Sequence, residues 1–211
     1  MNFIFTEEQI QFKDAIKAFL NDECTPESIR GGWASKQSFN QNRWKGLADL
    51  GVLGSNLSED SGGLGMDQVA LVLMVEEMGY AGLPEPAAEQ TFLINDLLHM
   101  LPPKTQESIQ EHHMSGTSYI SVAHPLAPNP LFLKESAGLL IFEEDSYKFV
   151  LTSDVEFEEV VSNDPSRELG RIISIKNSIS SSENCELLNA AVSSLSLIHI
   201  SEPTRHAVIS F

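Results

Sequence analysis

Adjacent acidic side chains are the groups in this sequence best suited to acid–base chemistry, because a carboxylate can take a proton from a carbon acid. Glu76–Glu77 and Glu158–Glu159 are two such pairs. Glutamates without a charged partner are almost always solvent-exposed in folded proteins. We therefore interpret all four as solvated surface charges and nominate no catalytic residue.

The segment at residues 58–65 has the glycine content of a phosphate-binding loop. It reads Ser-Glu-Asp-Ser-Gly-Gly-Leu-Gly, and three glycines in four residues cost too much backbone entropy for a helix interior. A dinucleotide-binding fingerprint also needs a strand before the glycines and an acid on the next strand, and neither is apparent. The pattern therefore indicates a turn rather than a phosphate site.

The cysteines and the N-terminus indicate the cellular compartment. Cys24 and Cys185 are much farther apart than the ligands of a metal or redox motif, which predicts reduced thiols and no metal site. The N-terminus lacks the basic start and apolar run of a signal peptide, and no apolar stretch is long enough to cross a bilayer. We therefore expect a soluble cytoplasmic protein.

The charge balance argues against two classes of partner. The chain has 13 Lys plus Arg against 30 Asp plus Glu, a formal net charge of −17. A surface this acidic repels phosphate backbones and anionic lipid headgroups. We therefore expect no nucleic-acid and no membrane partner.

The first 116 residues have the periodicity of a helical bundle. Thr6 and Gln9 form a capping box at the start of the first helix. An apolar stripe follows at Phe12, Ile16, Phe19 and Leu20. Further helices are predicted at residues 25–31, 40–50, 67–79, 84–101 and 104–114.

Three of these helices are predicted to end at glycines, at Gly31–Gly32, at Gly51 and at Gly79, since glycine is preferred just after the last helical turn. Residues 69–75 are apolar at every position. A helix that is apolar all round is typical of the centre of a bundle. We therefore expect the helix at 67–79 to be buried on every face.

Short β-rich runs begin at Thr117. Strands are predicted at residues 119–123, 138–142, 147–151, 155–161 and 170–175. Residues 182–194 then have the pattern of another helix. The order predicts an α+β protein, with an N-terminal helical bundle at 1–116, a small antiparallel β domain at 117–180, and the start of a C-terminal helical domain at 181–194.

The last residues are interpreted differently. Residues 195–205 read Leu-Ser-Leu-Ile-His-Ile-Ser-Glu-Pro-Thr-Arg, an order that resembles the translation of a sequencing-library adapter. We expect residues 195–211 to be adapter read-through and the native sequence to stop being visible near Ser194. His199 and His206 are therefore not candidate ligands.

Five stretches of the chain resemble local patterns of the acyl-CoA dehydrogenase family. They are residues 3–9, 44–54, 58–65, 75–79 and 164–171, the last of which reads Asp-Pro-Ser-Arg-Glu-Leu-Gly-Arg. They occur in the order that the family has, and the succession of helices, strands and helices is also the family's. The resemblance covers nearly all of residues 1–194.

The resemblance implies an FAD-dependent enzyme that removes a proton alpha to an acyl-CoA thioester and a hydride from the beta carbon. In the family the base is a carboxylate of the C-terminal helical domain, where an arginine-rich segment also helps to hold a neighbouring subunit's flavin. Both lie beyond Ser194, so we expect this chain to be inactive alone. Coenzyme A is polyanionic and would need a basic cluster. The candidates are Arg30, Lys36, Arg43 and Lys45.

The resemblance also nominates cofactor-binding positions on the first strand. In the family a Thr-Glu pair and a following Gly-Ser turn hydrogen-bond the flavin ring and its pyrophosphate. Here residues 121–129 read Ser-Val-Ala-His-Pro-Leu-Ala-Pro-Asn, which nominates Val122, Ala123 and His124. The hydroxyl and the small-residue turn are missing, and proline has no N–H to donate, which puts flavin binding by this chain in question. A histidine beside a proline at a strand end is typical of a structural surface group.

The shortened β domain resembles one kind of subunit in heteromeric members of the family, where one subunit supplies the chemistry and its partner the scaffold. We therefore expect a scaffold subunit, in a homo- or hetero-oligomer with another acyl-CoA dehydrogenase subunit. Two alternatives stay open: a truncated ordinary FAD-dependent dehydrogenase, and an interaction module without a redox role. We also expect exposed apolar faces, normally covered by the absent helices, to lower the solubility of the chain.

Overall fold

Helices fill the first part of the chain and strands the second, which confirms the predicted α+β order. The computed structural model describes residues 5–98, 101–125, 127–143, 146–178 and 180–183. The helices are α1 (Glu7–Glu23), α2 (Pro26–Ser35), α3 (Gln41–Asp49), α4 (Gln68–Ala81), α5 (Ala87–Glu89), α6 (Asn95–Leu98) and α7 (Pro103–Met114). A π-helical turn at Gln90–Ile94 joins α5 to α6.

The strands form a four-stranded sheet and a two-stranded sheet. They are β1 (Ile120–Ala123), β2 (Gly138–Phe142), β3 (Ser146–Leu151), β4 (Val155–Val160), β5 (Leu169–Ile175) and β6 (Ser180–Glu183). The larger sheet has the order β1-β2-β3-β6, and β4 pairs with β5. β1 and β2 run parallel, whereas the other pairs are antiparallel.

The β region differs from the prediction in two details. The β1–β2 pair is parallel because the connection at residues 124–137 crosses back to the end of the sheet where β1 begins. Ser182 and Glu183, predicted to open the next helix, lie in β6 and pair with the edge of β3. Serine is a poor helix former, and the open edge of β3 offers it backbone partners. The rest of that predicted helix, and the tail at 195–211, lie outside the described residues.

The predicted capping box starts α1, and α3 ends just before Gly51 as predicted, but Gly31–Gly32 and Gly79 do not end their helices. Thr6 accepts the N–H of Gln9 at 3.2 Å and donates its own N–H to the Gln9 side chain at 3.0 Å, which completes the capping box. α2 continues through Gly31–Gly32, and α4 continues through the buried Gly79. α4 ends at Gly82, whose φ of 65° is left-handed. A glycine ends a helix where the chain adopts that conformation, which composition alone does not reveal.

Two apolar clusters hold the elements together. The first lies among the helices and includes Ile16, Leu20, Trp44, Leu47, Leu71, Met74 and Phe92. The second joins the helical segment after Pro86 to the larger sheet and contains Leu93, Ile94, Leu97, Leu98, Leu101, Ile109, Ile120, Leu140, Phe142, Tyr147 and Phe149. The stripe predicted at Ile94, Leu97, Leu98 and Leu101 is buried. One face of the larger sheet is therefore positioned by the helices.

α4 is not buried on every face, contrary to the prediction. Val69, Val72 and Tyr80 are 48%, 41% and 67% exposed. Helical spacing places these three residues, the α4 stripe, on one face of the helix. One apolar face of α4 is therefore not covered by any described element. No helix within the described ranges is long and apolar enough to cross a membrane.

A buried ion pair joins three segments of the helical part. Arg43 Nε and Nη2 donate to the two carboxylate oxygens of Glu85 at 2.8 and 2.7 Å, and both side chains are buried. Arg43 also donates to the carbonyls of Glu23 and Ser38. Glu85 accepts the N–H of Asn40, the cap of α3, at 2.7 Å. The pair therefore ties the end of α1, the start of α3 and the α4–α5 connection together.

Polar contacts hold the β4–β5 connection against the helices. The Ser38 N–H donates to Glu168 at 2.8 Å, and its hydroxyl donates to the carbonyl of Pro165 at 3.0 Å. Arg167 pairs with Glu89 of α5 at 2.8 Å. The Asp-Pro-Ser-Arg-Glu stretch therefore docks the two-stranded sheet onto the helical part.

His113 lies in a buried polar network. Its Nε2 is 2.7 Å from the Leu53 carbonyl oxygen and 2.9 Å from Asn95 Oδ1. Both are acceptors, so Nε2 carries the proton. Asn95 in turn donates to Leu53 and to Asn56. Burial lowers the pKa of His113 to about 4, so the ring is neutral near pH 7.

Arg43→Met is expected to destabilise the protein by about 3–5 kcal/mol, because it leaves the Glu85 carboxylate buried without its cation. The free energy of unfolding in urea measures the effect. Lys45→Met is the matched control, since it removes the exposed Lys45–Asp49 pair and should cost less than about 1 kcal/mol. Equal losses in the two variants would contradict the central role of the buried pair.

The free energy of unfolding is expected to fall as the pH drops from 6.5 to about 4, because the unfolded chain protonates His113 in this interval and the folded chain does not. The loss attributable to His113 is about 3 kcal/mol, and His113→Gln should lack it. His112→Gln changes the exposed neighbour and should keep the wild-type profile. Superimposable profiles for the wild type and His113→Gln would exclude this linkage. Urea unfolding at a series of pH values supplies the data.

Tyr80→Glu is expected to reduce self-association of the chain, because it places a charge on the α4 stripe. Val161→Glu is the control, since Val161 is 97% exposed but follows β4 and is not part of the α4 stripe. Light scattering after size-exclusion chromatography at one protein concentration gives the associated fraction. An equal decrease for both variants would show that net charge, and not the stripe, controls association.

Candidate functional site

β1 forms one edge of the larger sheet, where a ligand can reach strand backbone. Successive strand residues point their N–H and C=O groups alternately to the two sides of the strand. Those of Ser121 and Ala123 face β2. Those of Ile120, Val122 and His124 face outward, since Ile120 and His124 both bond to groups outside the sheet.

The Gln90 side chain closes this edge at Ile120. Its Nε2 donates to the Ile120 carbonyl at 2.7 Å, and its Oε1 accepts the Ile120 N–H at 3.1 Å. A neighbouring strand would make the same pair of bonds. Gln90 is 1% exposed and begins the π-helical turn, a feature that is frequent at functional sites. One side-chain amide thus takes the place of a strand.

His124 and Ala127 close the edge farther along. The His124 N–H donates to the Ala127 carbonyl at 3.1 Å, and the Ala127 N–H donates to the His124 carbonyl at 2.8 Å. His124 is 5% exposed, its ring centre lies 5.9 Å from that of Phe142, and burial lowers its pKa. The prediction of a surface histidine is therefore wrong, because the turn folds the ring back onto the sheet.

Val122 lies between these two closed positions. A rise of about 3.3 Å per residue puts its N–H and C=O roughly 7 Å from those of Ile120 and His124. Val122 is partly exposed, whereas Ser121 and Ala123 beside it are buried. Within the described residues, Val122 is thus an outward-facing position of β1 that lies between two closed ones and is partly exposed.

The nominated residues Val122, Ala123 and His124 lie together, but they suit only part of a flavin cofactor. The N–H and C=O of Val122 can pair with the donor and acceptor at the edge of a flavin ring. A pyrophosphate instead needs clustered N–H donors or basic side chains. The Ala127 N–H is already used, three of the six residues after His124 are prolines, and residues 105–133 contain no lysine or arginine. The residues present therefore fit the ring edge and do not fit the phosphates.

The glycine-rich segment at 58–65 is a turn, as predicted. It contains a 3-10 turn at Glu59–Ser61, and Gly62 has a left-handed φ of 78°. The N–H groups of Gly62, Gly63 and Gly65 donate to carbonyls of the same loop. They are therefore not available to a phosphate.

Of the four paired glutamates, Glu76, Glu158 and Glu159 are exposed and Glu77 is partly buried, and three of the four have cationic partners. The ion pairs are Glu77–Lys17, Glu158–Arg171 and Glu159–Lys134. The Lys134 ammonium group lowers the pKa of Glu159. Ion pairing therefore accounts for three of the four charges.

The basic residues considered for coenzyme A do not form a cluster. Arg43 is buried against Glu85, and Lys45 pairs with an aspartate one helical turn away. Arg30 and Lys36 are exposed. The charge of Arg43 is paired with Glu85 inside the fold. The four side chains therefore do not form one basic site for a polyanion.

The cysteine that the structure describes is not a reactive thiol. Cys24 is free, and burial raises the pKa of its thiol to about 11. A protonated thiol is a poor nucleophile and a poor metal ligand. Cys185, His199 and His206 lie outside the described residues.

Sequence analysis missed Gln90, although a signal for it was present. Gln90 precedes Ile94 by four residues, so it falls on the stripe predicted to be buried. A buried amide must find hydrogen-bond partners, which marks such a position as a candidate for a structural or binding role. The partner, Ile120, lies 30 residues later and could not be read from the local pattern.

Comparisons with known proteins agree with this architecture. Residues 6–103 match the family model described as Acyl-CoA dehydrogenase, N-terminal domain. Acyl-CoA dehydrogenase IpdE2 of Mycolicibacterium smegmatis is 25% identical over 113 residues, which are 53% of this chain and 36% of that protein.

Solved structures share the fold at low identity. The ChsE4-ChsE5 complex from Mycobacterium tuberculosis matches with a TM-score of 0.76 and 18% identity, over 97% of this chain and 64% of that chain. Butyryl-CoA dehydrogenase from Megasphaera elsdenii matches with a TM-score of 0.76 and 14% identity, over 97% of this chain and 66% of that chain. The chain thus spans about a third of its curated relative and about two thirds of these solved chains. Residues 6–103 are therefore similar to the N-terminal domain of acyl-CoA dehydrogenase family proteins.

Proposed function

We propose that this chain is part of a scaffold subunit in a heteromeric acyl-CoA dehydrogenase-like flavoprotein, which carries out alpha,beta-dehydrogenation of an acyl-CoA thioester. The observation that carries the proposal is the closed turn between His124 and Ala127, where each residue bonds the other's backbone. The described residues of this turn leave a pyrophosphate no backbone N–H, since those of His124 and Ala127 are already bonded and Pro125 has none. The partner subunit therefore holds the cofactor's phosphates and supplies the catalytic base.

In such a complex a bound flavin would supply the hydride acceptor for the dehydrogenation. The contribution of this chain is positional. The backbone of Val122 orients a ring edge at the border of β1, and Gln90 holds that border at a fixed distance from the helices. The buried rings of His124 and Phe142 keep the turn beside it closed.

Two further observations support a subunit role. One solved structure with this fold is described as a complex of two proteins, ChsE4 and ChsE5. The α4 stripe leaves three large apolar side chains at the surface of a chain with a net charge of −17. Apolar surface of this kind is typical of protein contact sites.

The full-length protein that contains this chain is expected to purify without flavin when it is expressed alone, because the described residues of its β1 turn offer a phosphate no backbone N–H. Co-expressed with an acyl-CoA dehydrogenase subunit encoded by a neighbouring gene, it is expected to form a complex with a single FAD per pair of subunits. Flavin released by heat, measured against protein concentration, gives the stoichiometry.

The control is the same full-length protein co-expressed with an unrelated acyl-CoA dehydrogenase that forms homomers by itself. No complex is expected in that case. A yellow homomeric preparation of the full-length protein would overturn the scaffold role and favour an ordinary catalytic dehydrogenase. Absence of flavin and of acyl-CoA binding from every complex would favour an interaction module instead.

A further inference from the structure

We propose that a cavity between the glycine-rich turn, α6 and α7 is a binding site for a small hydroxylated primary amine, of the amino-sugar or amino-alcohol class. The cavity has a volume of about 290 Å³. Small-molecule sites begin at roughly 300 Å³, so this one admits a ligand of about one sugar ring. None of its described lining residues belongs to β1, and the inference does not depend on the proposed subunit role.

Polar side chains make up most of the described lining of this cavity. The lining residues are Asn56, Leu57, Ser58, Ser61, Asn95, Asp96, Leu98, Gln106 and Gln110. Carboxamides and hydroxyls both donate and accept hydrogen bonds, as the hydroxyl groups of a ligand do. Leu57 and Leu98 add apolar surface for the carbon atoms of the ligand. This composition suits a small hydroxylated molecule better than an apolar one.

A chain of hydrogen bonds fixes the side chains at one wall of the cavity. His113 Nε2 donates to Asn95 Oδ1 at 2.9 Å, and Asn95 Nδ2 donates to Asn56 Oδ1 at 2.6 Å. Asn56 Nδ2 then donates to Asp96 Oδ1 at 3.1 Å. Every donor in the chain points toward Asp96, so the successive bonds polarise and strengthen one another. The chain therefore holds the Asp96 carboxylate in a fixed position.

The glycine-rich turn is held against α7 at the same cavity. Gln110 Nε2 donates to the Ser61 carbonyl at 2.6 Å, and the Ser58 hydroxyl donates to the Ser61 hydroxyl at 3.0 Å. A site whose side chains are already in place loses less conformational freedom when a ligand binds. The turn, whose glycine N–H groups are used within the loop, thus serves as a wall of a preformed site.

The charge of the lining selects a cationic ligand. Among the described residues that line the cavity, Asp96 is the charged one, and its side chain is exposed while Asn95 and His113 behind it are buried. An ammonium group makes charge-assisted hydrogen bonds to a carboxylate, which are roughly twice as strong as neutral ones. The chain's net charge of −17 also attracts a cation and repels an anion. The amine therefore anchors the ligand, and its hydroxyl groups meet the carboxamides.

Titration of the chain with glucosamine, glucose and glucuronate at about pH 6, where the amine is protonated, tests the proposal. Side-chain amide signals in nitrogen–proton correlation spectra follow the binding. Glucosamine should shift the Asn56 signals and bind at least about tenfold more tightly than either of the other two sugars. Binding of glucose or glucuronate as tight as that of glucosamine would overturn the proposal, as would no binding of glucosamine.

Two variants that remove the same charge give the protein side of the test. Asp96→Asn keeps an oxygen that can accept the Asn56 N–H and should weaken glucosamine binding at least about tenfold. Asp60→Asn is the matched control, since Asp60 is exposed on the glycine-rich turn but does not line the cavity. It should bind within about twofold of the wild type.

The urea midpoint shows whether both variants fold. Equal binding of glucosamine by Asp96→Asn and Asp60→Asn would overturn the site. If Asp96→Asn does not fold, the comparison of glucosamine with glucose on the wild-type chain decides the matter.

Discussion

The geometry of the helical part depends on the ion pair between Arg43 and Glu85. A buried pair of this kind is weak evidence for net stabilisation, because removing two charges from water costs about as much as their attraction returns. The pair instead selects one packing arrangement. Because a buried charge without its partner is costly, α1, α3 and the α4–α5 connection must pack so that Glu85 lies beside Arg43. All five N–H groups of Arg43 point at acceptors that only this arrangement brings together.

That arrangement extends to the candidate site. Glu85 immediately precedes the segment that becomes α5, and Gln90 follows five residues later at the start of the π-helical turn. Fixing Glu85 therefore fixes where the Gln90 amide meets Ile120. The edge of β1, and with it the backbone of Val122, is set by a contact in the helical part, and not by the strands alone.

Sequence patterns predicted the local structure well and the contacts across the chain poorly. The capping box at Thr6, the strand at Gly138–Phe142 and the turn at residues 58–65 depend on neighbouring residues, and each was predicted correctly. The end of α4 at Gly82 and not at Gly79 depends on which glycine adopts a left-handed conformation, and that is decided by packing. Val122, Ala123 and His124 were nominated from a resemblance. In the structure the backbone of Val122 faces outward and the ring of His124 is buried. Contacts with Gln90 and Ala127 define these positions, and no local sequence pattern connects those two residues to the strand.

The replacement of a strand by a side chain at the edge of β1 also bears on how the chain folds. Gln90 completes the border of the larger sheet, and a bond from Ser38 to Glu168, across 130 residues, anchors the smaller sheet. The sheets therefore cannot make all of these hydrogen bonds before the helices are in place. Contacts this distant in sequence carry a large loop-closure entropy and form late. Helices and strands therefore gain and lose their order together, as one cooperative unit.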